Sequence, residues 1–271
     1  MTEREMAAYL VNKLEENGIM SHAWLPFADC TVFNERLLRR FFPEDDPRSV
    51  LLFIVPYYAG DSPERNVSLY AVPRDYHGFF RSLFREIETA LGGAAKGYAD
   101  SSPIDERSAA CRAGLGDVGD NGLLINRRYG SYVFIGEIFC TFEPAEYAVP
   151  HADEGCLHCG ACRRSCPSPQ DCLSDRTQRK GVPDEETVAL MRRYHTAWGC
   201  DICQKVCPLN QGKEQTPIRY FREELVWDAS GALAAADMDR AYYWRGIEVI
   251  RRNLAILKGQ DEVKKEERPV K

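Results

Sequence analysis

The sequence predicts an α/β (α+β) fold in three parts: an N-terminal domain over residues 1–148, a cysteine-rich module over 149–215, and a C-terminal helical segment with a charged tail over 216–271. Two observations carry this prediction. Segments with helical and strand periodicity alternate through the first half of the chain, as they do in layered folds. Eight of the eleven cysteines then lie between Cys156 and Cys207.

The N-terminal domain is predicted to begin with a helix. Thr2 and Glu5 form a capping-box pattern, an apolar stripe follows, and Gly18 is the expected stop. A second helix is expected over residues 75–91, where six apolar residues share one face. Pro103 is expected to begin a third helix, with Ser102 as its N-cap.

Two segments of the same domain read as strands, and one later segment reads as a helix. Residues 50–55 are a continuous apolar run of strand length, and residues 129–142 are rich in β-forming side chains. Between them, glycines punctuate a loop over residues 114–122. After the cysteine-rich module, apolar spacing predicts a helix over residues 234–257, and a mixed-charge tail that frays.

Composition and charge exclude several classes of protein. The formal net charge is −6, so no global basic field points to nucleic acid. The sequence has no apolar run long enough for a membrane span, and its charged N-terminus has no signal-peptide core. We therefore expect a cytoplasmic protein without membrane contact. In that compartment, many cysteines indicate metal ligands rather than disulfides.

The cysteines follow the spacing of bacterial ferredoxins. Cys156, Cys159, Cys162 and Cys166 form a C-x2-C-x2-C-x3-C run followed by proline. In proteins with two clusters the fourth cysteine of such a run binds the other cluster. The spacing therefore predicts a double [4Fe–4S] module of ferredoxin type.

A second, incomplete motif supplies the remaining ligands. Cys200, Cys203 and Cys207 precede Pro208, and Cys172 is the natural replacement for the missing middle cysteine. The crossing rule then assigns the ligands of each cluster. The first cluster takes Cys156, Cys159, Cys162 and Cys207; the second takes Cys166, Cys172, Cys200 and Cys203.

Other interpretations of these cysteines stay open. Two zinc sites would use eight cysteines, although zinc ligands usually come as C-x2-C pairs on either side of a longer loop. A purely structural cluster is also conceivable, but two clusters in series favour electron relay. His158 stands between two ligands and is expected to contact the ligand shell rather than bind iron. Cys30, Cys111 and Cys140 lie outside the motifs, and of these Cys111 and Cys140 are expected to be core residues.

Beyond the cysteines, the sequence resembles the epoxyqueuosine reductases, which are cobalamin- and iron–sulfur-dependent enzymes that reduce an epoxide on a modified tRNA base. The resemblance covers most of the chain from about residue 50, and the order of its blocks makes it specific. The blocks are YAVPRDYH (70–77), ADSSPIDERSAACRAGLGDVGDNGLLIN (99–126), GSYVFIGEI (130–138), CLSDRTQRKG (172–181), GCDICQKVCPLN (199–210) and, more weakly, YYWRGIEVIRRNLAIL (242–257).

The resemblance implies a base-off cobalamin between the α/β layer and the clusters, reduced by an external electron donor of flavodoxin or ferredoxin type. It assigns Asp100 as the proton donor and Arg107 as an active-site arginine. Cobalamin contacts are implied at Leu124, Ile135, Ser174, Asp201 and Ile202. The alternative, purely structural roles are a turn or N-cap position for Asp100 and an ordinary ion pair for Arg107.

This chain departs from the family pattern at a few positions. Asp120 stands where the family usually has lysine, and Tyr70 stands where some members have cysteine. The tRNA-handling enzymes also continue into a helical-repeat domain that this sequence lacks, so tRNA is a weaker expectation than the reductase core.

Three functions follow from the sequence. The first is an iron–sulfur oxidoreductase that passes electrons through two [4Fe–4S] clusters to a cobalamin and reduces an epoxide or similar substrate. The second is a ferredoxin-like electron-transfer protein without cobalamin, and the third is a protein whose clusters are structural. A ferredoxin needs only about 60 residues around its cysteines. About 150 residues precede them here, which favours the enzyme.

Overall fold

The computed structural model describes residues 1–149, 155–234 and 238–260. None of the helices in these ranges combines the length and the apolar character needed to cross a membrane. The helices are α1 (Glu3–Glu16), α2 (Glu35–Phe41), α3 (Tyr76–Leu91), α4 (Glu106–Arg112), α5 (Ala161–Ser165), α6 (Leu173–Gln178), α7 (Glu185–Tyr194), α8 (Ile202–Lys205), α9 (Ala229–Ala234) and α10 (Ile247–Leu257). The strands are β1 (His22–Pro26), β2 (Ser49–Pro56), β3 (Ala95–Tyr98), β4 (Asp117–Val118), β5 (Leu124–Ile125) and β6 (Val133–Cys140).

The chain forms two compact units, each assembled from separate stretches of sequence. The first unit contains Met1–Gly60, Tyr76–Ser165 and Ile202–Glu223. The second unit contains Asp61–Asp75, Cys166–Asp201 and Glu224–Lys271. The mixed α/β class is confirmed, whereas the three-part division by function stays a prediction.

A four-stranded antiparallel sheet organises the first unit, in the order β1-β2-β6-β3. Every residue of β2 is buried, as its continuous apolar run predicts. β6 lies between β2 and β3, so it pairs on both sides. The side chains of Phe139 and Leu52 contribute to a large apolar cluster on the sheet. This rigid sheet carries the loop that follows β3.

Two helices of the first unit match their prediction. The capping box at Thr2 and Glu5 is present at the start of α1, and Gly18 follows the helix with a positive φ of 77°. Helix α3 covers the predicted segment and buries its aromatic face. Cys140 is buried and Cys111 packs against the apolar cluster, which confirms both as core residues.

The helix expected at Pro103 begins later, so that boundary was wrong. Asp105 is the N-cap of α4, because its Oδ1 accepts the Ser108 N–H at 3.3 Å. Ser102 does not cap the helix. Its hydroxyl instead donates to Glu137 Oε2 on β6 and accepts the Ile104 N–H at 3.1 Å.

The single helix expected over residues 234–257 was also wrong. Residues 241–243 form a 3₁₀ turn, and α10 starts only at Ile247. Gly246 has a φ of 101°, which interrupts any helix that enters from the N-terminal side. Residues 235–237 and most of the charged tail, 261–271, lie outside the described residues.

The second unit is mainly helical. Helices α6, α7 and α10 pack on one another around Leu173, Met191 and Ile256. Trp198 is fully buried, and its indole N–H donates to the Tyr70 hydroxyl at 2.8 Å. Arg252 of α10 donates to the Arg179 carbonyl at 2.9 Å, which ties this helix to the end of α6. The segment 172–181 is therefore fixed inside this unit.

Candidate functional site

Asp100 lies in the loop after β3, in a strained backbone conformation. Its φ is 66°, in the left-handed region that non-glycine residues rarely adopt. The Tyr76 hydroxyl donates to Asp100 Oδ2, and His77 Nε2 lies 3.3 Å from the same oxygen. Both partners stand at the start of α3, 23 and 24 residues earlier in the sequence. The fold thus brings together two blocks that the sequence singled out separately.

Exposure and hydrogen bonds set the pKa of Asp100. Its side chain is 51% exposed. Burial raises its pKa, but hydrogen bonds from His77 and Tyr76 lower that pKa by more, so the net shift is downward. Asp100 is therefore ionised at neutral pH in the structure, and its role as the proton donor stays a prediction.

Two glutamate carboxyl groups near this loop have pKa values above the usual range. Burial, followed by the charge of Asp100, raises the pKa of Glu106 to about 7. Glu137 is fully buried in β6, and burial raises its pKa well above the usual value. Sequence reasoning missed both. A glutamate in the apolar run of β6 was an available signal, because a buried carboxyl group without a cation must stay neutral.

Glu137 also anchors the loop that carries Asp100. Its Oε2 accepts the hydroxyl of Ser102, two residues after Asp100. Its other oxygen, Oε1, has no hydrogen-bond partner among the described residues. Tyr98 is paired directly with Glu137 across β3 and β6. The Tyr98 hydroxyl is also buried and has no hydrogen-bond partner among the described residues. The neutral acid is thus built into the sheet beneath the loop.

Arg107 lies on the exposed side of α4. Its Nη1 donates to the Gly122 carbonyl at 2.8 Å, which ties α4 to the glycine-rich loop. Its charge lowers the pKa of Glu106, although burial outweighs it. In the described residues, no hydrogen bond or ion pair joins Arg107 to Asp100. Its active-site role therefore stays a prediction.

The predicted cobalamin contacts of the first unit are apolar. Leu124 in β5 is buried in the core cluster, and Ile135 in β6 is half-buried and packs against the same cluster. Ile202 is half-buried at the start of α8. None of the three carries a polar group, so each would offer packing surface to a ligand.

Ser174 and Asp201 belong to the second unit. The carbonyl of Ser174 accepts Gln178 Nε2 at 3.1 Å. Asp201 is buried, and its carboxylate accepts hydrogen bonds from Arg65 Nη1 at 2.6 Å, the Ser68 hydroxyl at 2.5 Å and the Leu69 N–H at 2.9 Å. Asp201 thus fixes the segment that precedes Tyr70, and its cobalamin contact stays a prediction.

The four cysteines assigned to the first cluster line one cavity of the first unit: Cys156, Cys159, Cys162 and Cys207. The loop between them turns twice through the left-handed region, at His158 (φ 48°) and Gly160 (φ 69°). These turns let a short loop present three thiols to one point. The donor set, four thiols on one cavity, fits an iron–sulfur cube.

A polar group that the sequence did not predict touches this cavity. The Asp120 N–H donates to Cys156 Sγ at 3.4 Å. The Asp120 carboxylate lies 3.0 Å from His158 Nδ1 and 3.7 Å from Arg163 Nη2. His158 thus contacts Asp120 beside these cysteines. The residue that departs from the family's lysine is therefore part of the wall around the first set of cysteines.

The ligands assigned to the second cluster are divided between the units. Cys166, Cys172 and Cys200 belong to the second unit, and Cys203 belongs to α8 of the first. Cys172 is exposed immediately before α6, and Cys200 is half-buried beside the apolar cluster of α6, α7 and α10. The assignment of this cluster stays a prediction from the spacing.

Comparison with known proteins identifies the family. No family model matches the chain. The epoxyqueuosine reductase of Gloeobacter violaceus is 30% identical over 233 residues, which cover 76% of this chain and 72% of that protein. The epoxyqueuosine reductase of Pseudomonas aeruginosa is 36% identical over 227 residues, 72% of this chain and 61% of that protein.

Solved structures agree in fold. A crystal structure of an epoxyqueuosine reductase with a tRNA-Tyr epoxyqueuosine-modified stem loop has a TM-score of 0.72 at 21% identity, covering 96% of this chain and 82% of that one. The identity to these curated relatives places the chain among oxidoreductases. The protein belongs to the epoxyqueuosine reductase family.

Proposed function

We propose that this protein is a cobalamin-dependent iron–sulfur reductase. Electrons from an external donor pass through two [4Fe–4S] clusters to a cobalamin, and an epoxide or a similar group is reduced. The observation that carries the proposal is Asp100, held in strained backbone by Tyr76 and His77. Strained, hydrogen-bonded carboxylates of this kind concentrate at active sites.

Reduction of an epoxide needs two electrons, and the oxygen freed by C–O cleavage must be protonated. We assign protonation of that oxygen to Asp100, because its side chain is exposed. Its Oδ2 accepts the Tyr76 hydroxyl and lies near His77 Nε2. It is ionised at rest, so it must first take up a proton. Glu106, with a pKa of about 7, is the adjacent reserve of protons at neutral pH.

The cofactors would be held by the residues already described. Cys156, Cys159, Cys162 and Cys207 would hold the first cluster, and the remaining four cysteines of the motif would hold the second. Leu124, Ile135, Ser174, Asp201 and Ile202 are the proposed cobalamin contacts. When bound, a cobalamin supplies a centre that transfers electrons to carbon.

The substrate proposed first is an epoxyqueuosine-modified tRNA stem loop, the molecule named in a related crystal structure. That substrate implies a cytoplasmic protein. A smaller epoxide is the other substrate class, because the net charge of −6 gives no general attraction to RNA. The alternative function is a ferredoxin-like electron carrier or a structural iron–sulfur protein without cobalamin.

Turnover by the loaded protein tests the proposal. After anaerobic reconstitution with iron, sulfide and cobalamin, the protein would be incubated with the modified stem loop and a reductant, and the nucleoside products analysed by mass spectrometry. We expect loss of the epoxide oxygen only when cobalamin is present. Two reducible clusters without any turnover on the stem loop or on small epoxides would favour the electron carrier.

A further inference from the structure

The loop that carries the first set of cysteines is open to solvent. Cys159 is exposed, and the neighbouring Leu157 is 57% exposed. His158 and Arg163 have side chains that are 76% and 72% exposed. A partner protein could therefore come close to the first cluster.

Five exposed cations lie on the helices and segments that contact this loop, and they are called the basic face below: Arg127, Arg128, Arg163, Arg164 and Lys205. Arg164 Nη1 donates to the Cys159 carbonyl at 2.9 Å, so it is attached to the loop itself. Arg163 and Arg164 lie on α5, which packs against α8, where Lys205 is the last residue. The cations are thus spread over two helices in contact.

The segment that carries Arg127 and Arg128 is bound to the loop at Cys207. Asn210 Oδ1 accepts the Ser131 N–H at 2.8 Å, and the Asn210 N–H donates to the Cys207 carbonyl at 3.0 Å. Lys213 Nζ donates to the Arg127 carbonyl at 2.5 Å. The segments that carry these cations are therefore joined to the cysteine-bearing segments by hydrogen bonds and helix packing.

Acidic groups also lie near this loop: Asp117 Oδ2 packs against Gly155, and two others are paired with cations of the basic face. The carboxylate of Asp120 contacts His158 and Arg163, and that of Glu214 contacts Arg128 Nη2 at 2.8 Å. The positive charge at this face contrasts with the net charge of −6 of the whole chain. A local field opposite in sign to the net charge directs an oppositely charged partner to one place.

We propose that the basic face is the docking site of a small acidic electron-carrier protein, and that electrons enter at Cys159 and its neighbours. The inference rests on the proposed function only in requiring that the first cluster be present. Each encounter oxidises the carrier by one electron and reduces the cluster by one, without transfer of a proton. Two encounters supply the two electrons that the reduction consumes.

Charge reversal at this face tests the proposal. A flavodoxin, which is a small acidic flavoprotein, would be reduced photochemically and mixed with the reconstituted protein, with cluster reduction followed by stopped-flow absorbance. We expect Arg163→Glu with Lys205→Glu to lower the second-order rate constant at least tenfold at low salt, and high salt to remove most of that difference. Arg4→Glu with Arg36→Glu, on α1 and α2, is the matched control with the same change in charge.

Three further measurements keep the test decisive. Iron content and reduction by photoreduced deazaflavin, a small reductant, should be equal in all variants. If Arg163→Glu lowers the iron content, Arg127→Glu with Lys205→Glu replaces that variant. Binding of oxidised flavodoxin to each protein, measured by calorimetry, does not depend on clusters, cobalamin or turnover. Equal rates and equal affinities in the basic-face and control variants would overturn the proposal, even if the reductase function itself holds.

Discussion

The Asp100 site and the cysteine loop, both in the first unit, differ in burial and in surface charge. The Asp100 site is built on the sheet, where buried carboxyl groups and neighbouring hydroxyls shift pKa values. The cysteine loop that is predicted to bind the first cluster exposes Cys159, and exposed cations lie on α5 and α8. The comparison teaches that burial raises the pKa of a group such as Glu106, which can then hold a proton near neutral pH, whereas a proposed site of electron entry needs access and a favourable surface charge.

The largest expected effect is at Asp100. Asp100→Asn keeps the shape of the side chain but cannot exchange a proton, so we expect turnover to fall by at least a hundredfold. The absorbance of the clusters should stay unchanged, which separates loss of chemistry from loss of folding. Normal turnover by this variant would remove Asp100 from the mechanism.

Cys172→Ser tests the ligands predicted for the second cluster. Removing one thiolate ligand should cost the second cluster but leave the first, since its four ligands line their own cavity. Iron analysis after reconstitution should give about four irons per chain instead of about eight, following the two-cluster ligand pattern. Cys30→Ser, which changes a cysteine outside the motif, is the control. An unchanged iron content would show that Cys172 is not a ligand.

Glu106→Gln should alter the pH dependence more than the maximal rate. The carboxyl group of Glu106 carries its proton below a pKa of about 7, so a reaction that draws on it slows as the pH rises through that value. In the glutamine variant, kcat should no longer decrease as the pH rises through about 7. Glu88→Gln, on α3, is a suitable control. If kcat still decreases near pH 7 in Glu106→Gln, the decrease comes from the titration of another group.

The smallest effect concerns stability at Glu137. Its folded pKa lies above the unfolded value of about 4.5, so the unfolded state ionises first and stability falls as the pH rises above about 4.5. Glu137→Gln removes this loss and should stabilise the protein at neutral pH, by about 1.4 kcal/mol for each unit of pKa difference.

Two measurements check that assignment. Denaturant unfolding at pH 4 and pH 7.5 should show equal stability of Glu137→Gln and the parent at the lower pH only. Ser102→Ala, which removes the partner of the same carboxyl group, should destabilise by roughly 1–3 kcal/mol at both pH values. A stability difference between Glu137→Gln and the parent that is the same at both pH values would contradict a neutral, buried Glu137.

The sequence predicted some of these features for clear physical reasons. Cysteine spacing is local, so the thiols of one loop could be grouped before any fold was known. The partners of Asp100 could not be identified in that way, because Tyr76 and His77 reach it only through the placement of α3. The end of α10 was predicted but its start was not, because Gly246 interrupts an apolar pattern that continues on both sides.

Binding of cobalamin tests the central claim most directly. The reconstituted protein would be titrated anaerobically with cobalamin and followed by absorbance and EPR. The account predicts tight, stoichiometric binding with a base-off signal, and weaker binding after Ile135→Asp on β6. About eight irons, two reducible clusters and no cobalamin binding would contradict it and leave a ferredoxin-like electron carrier.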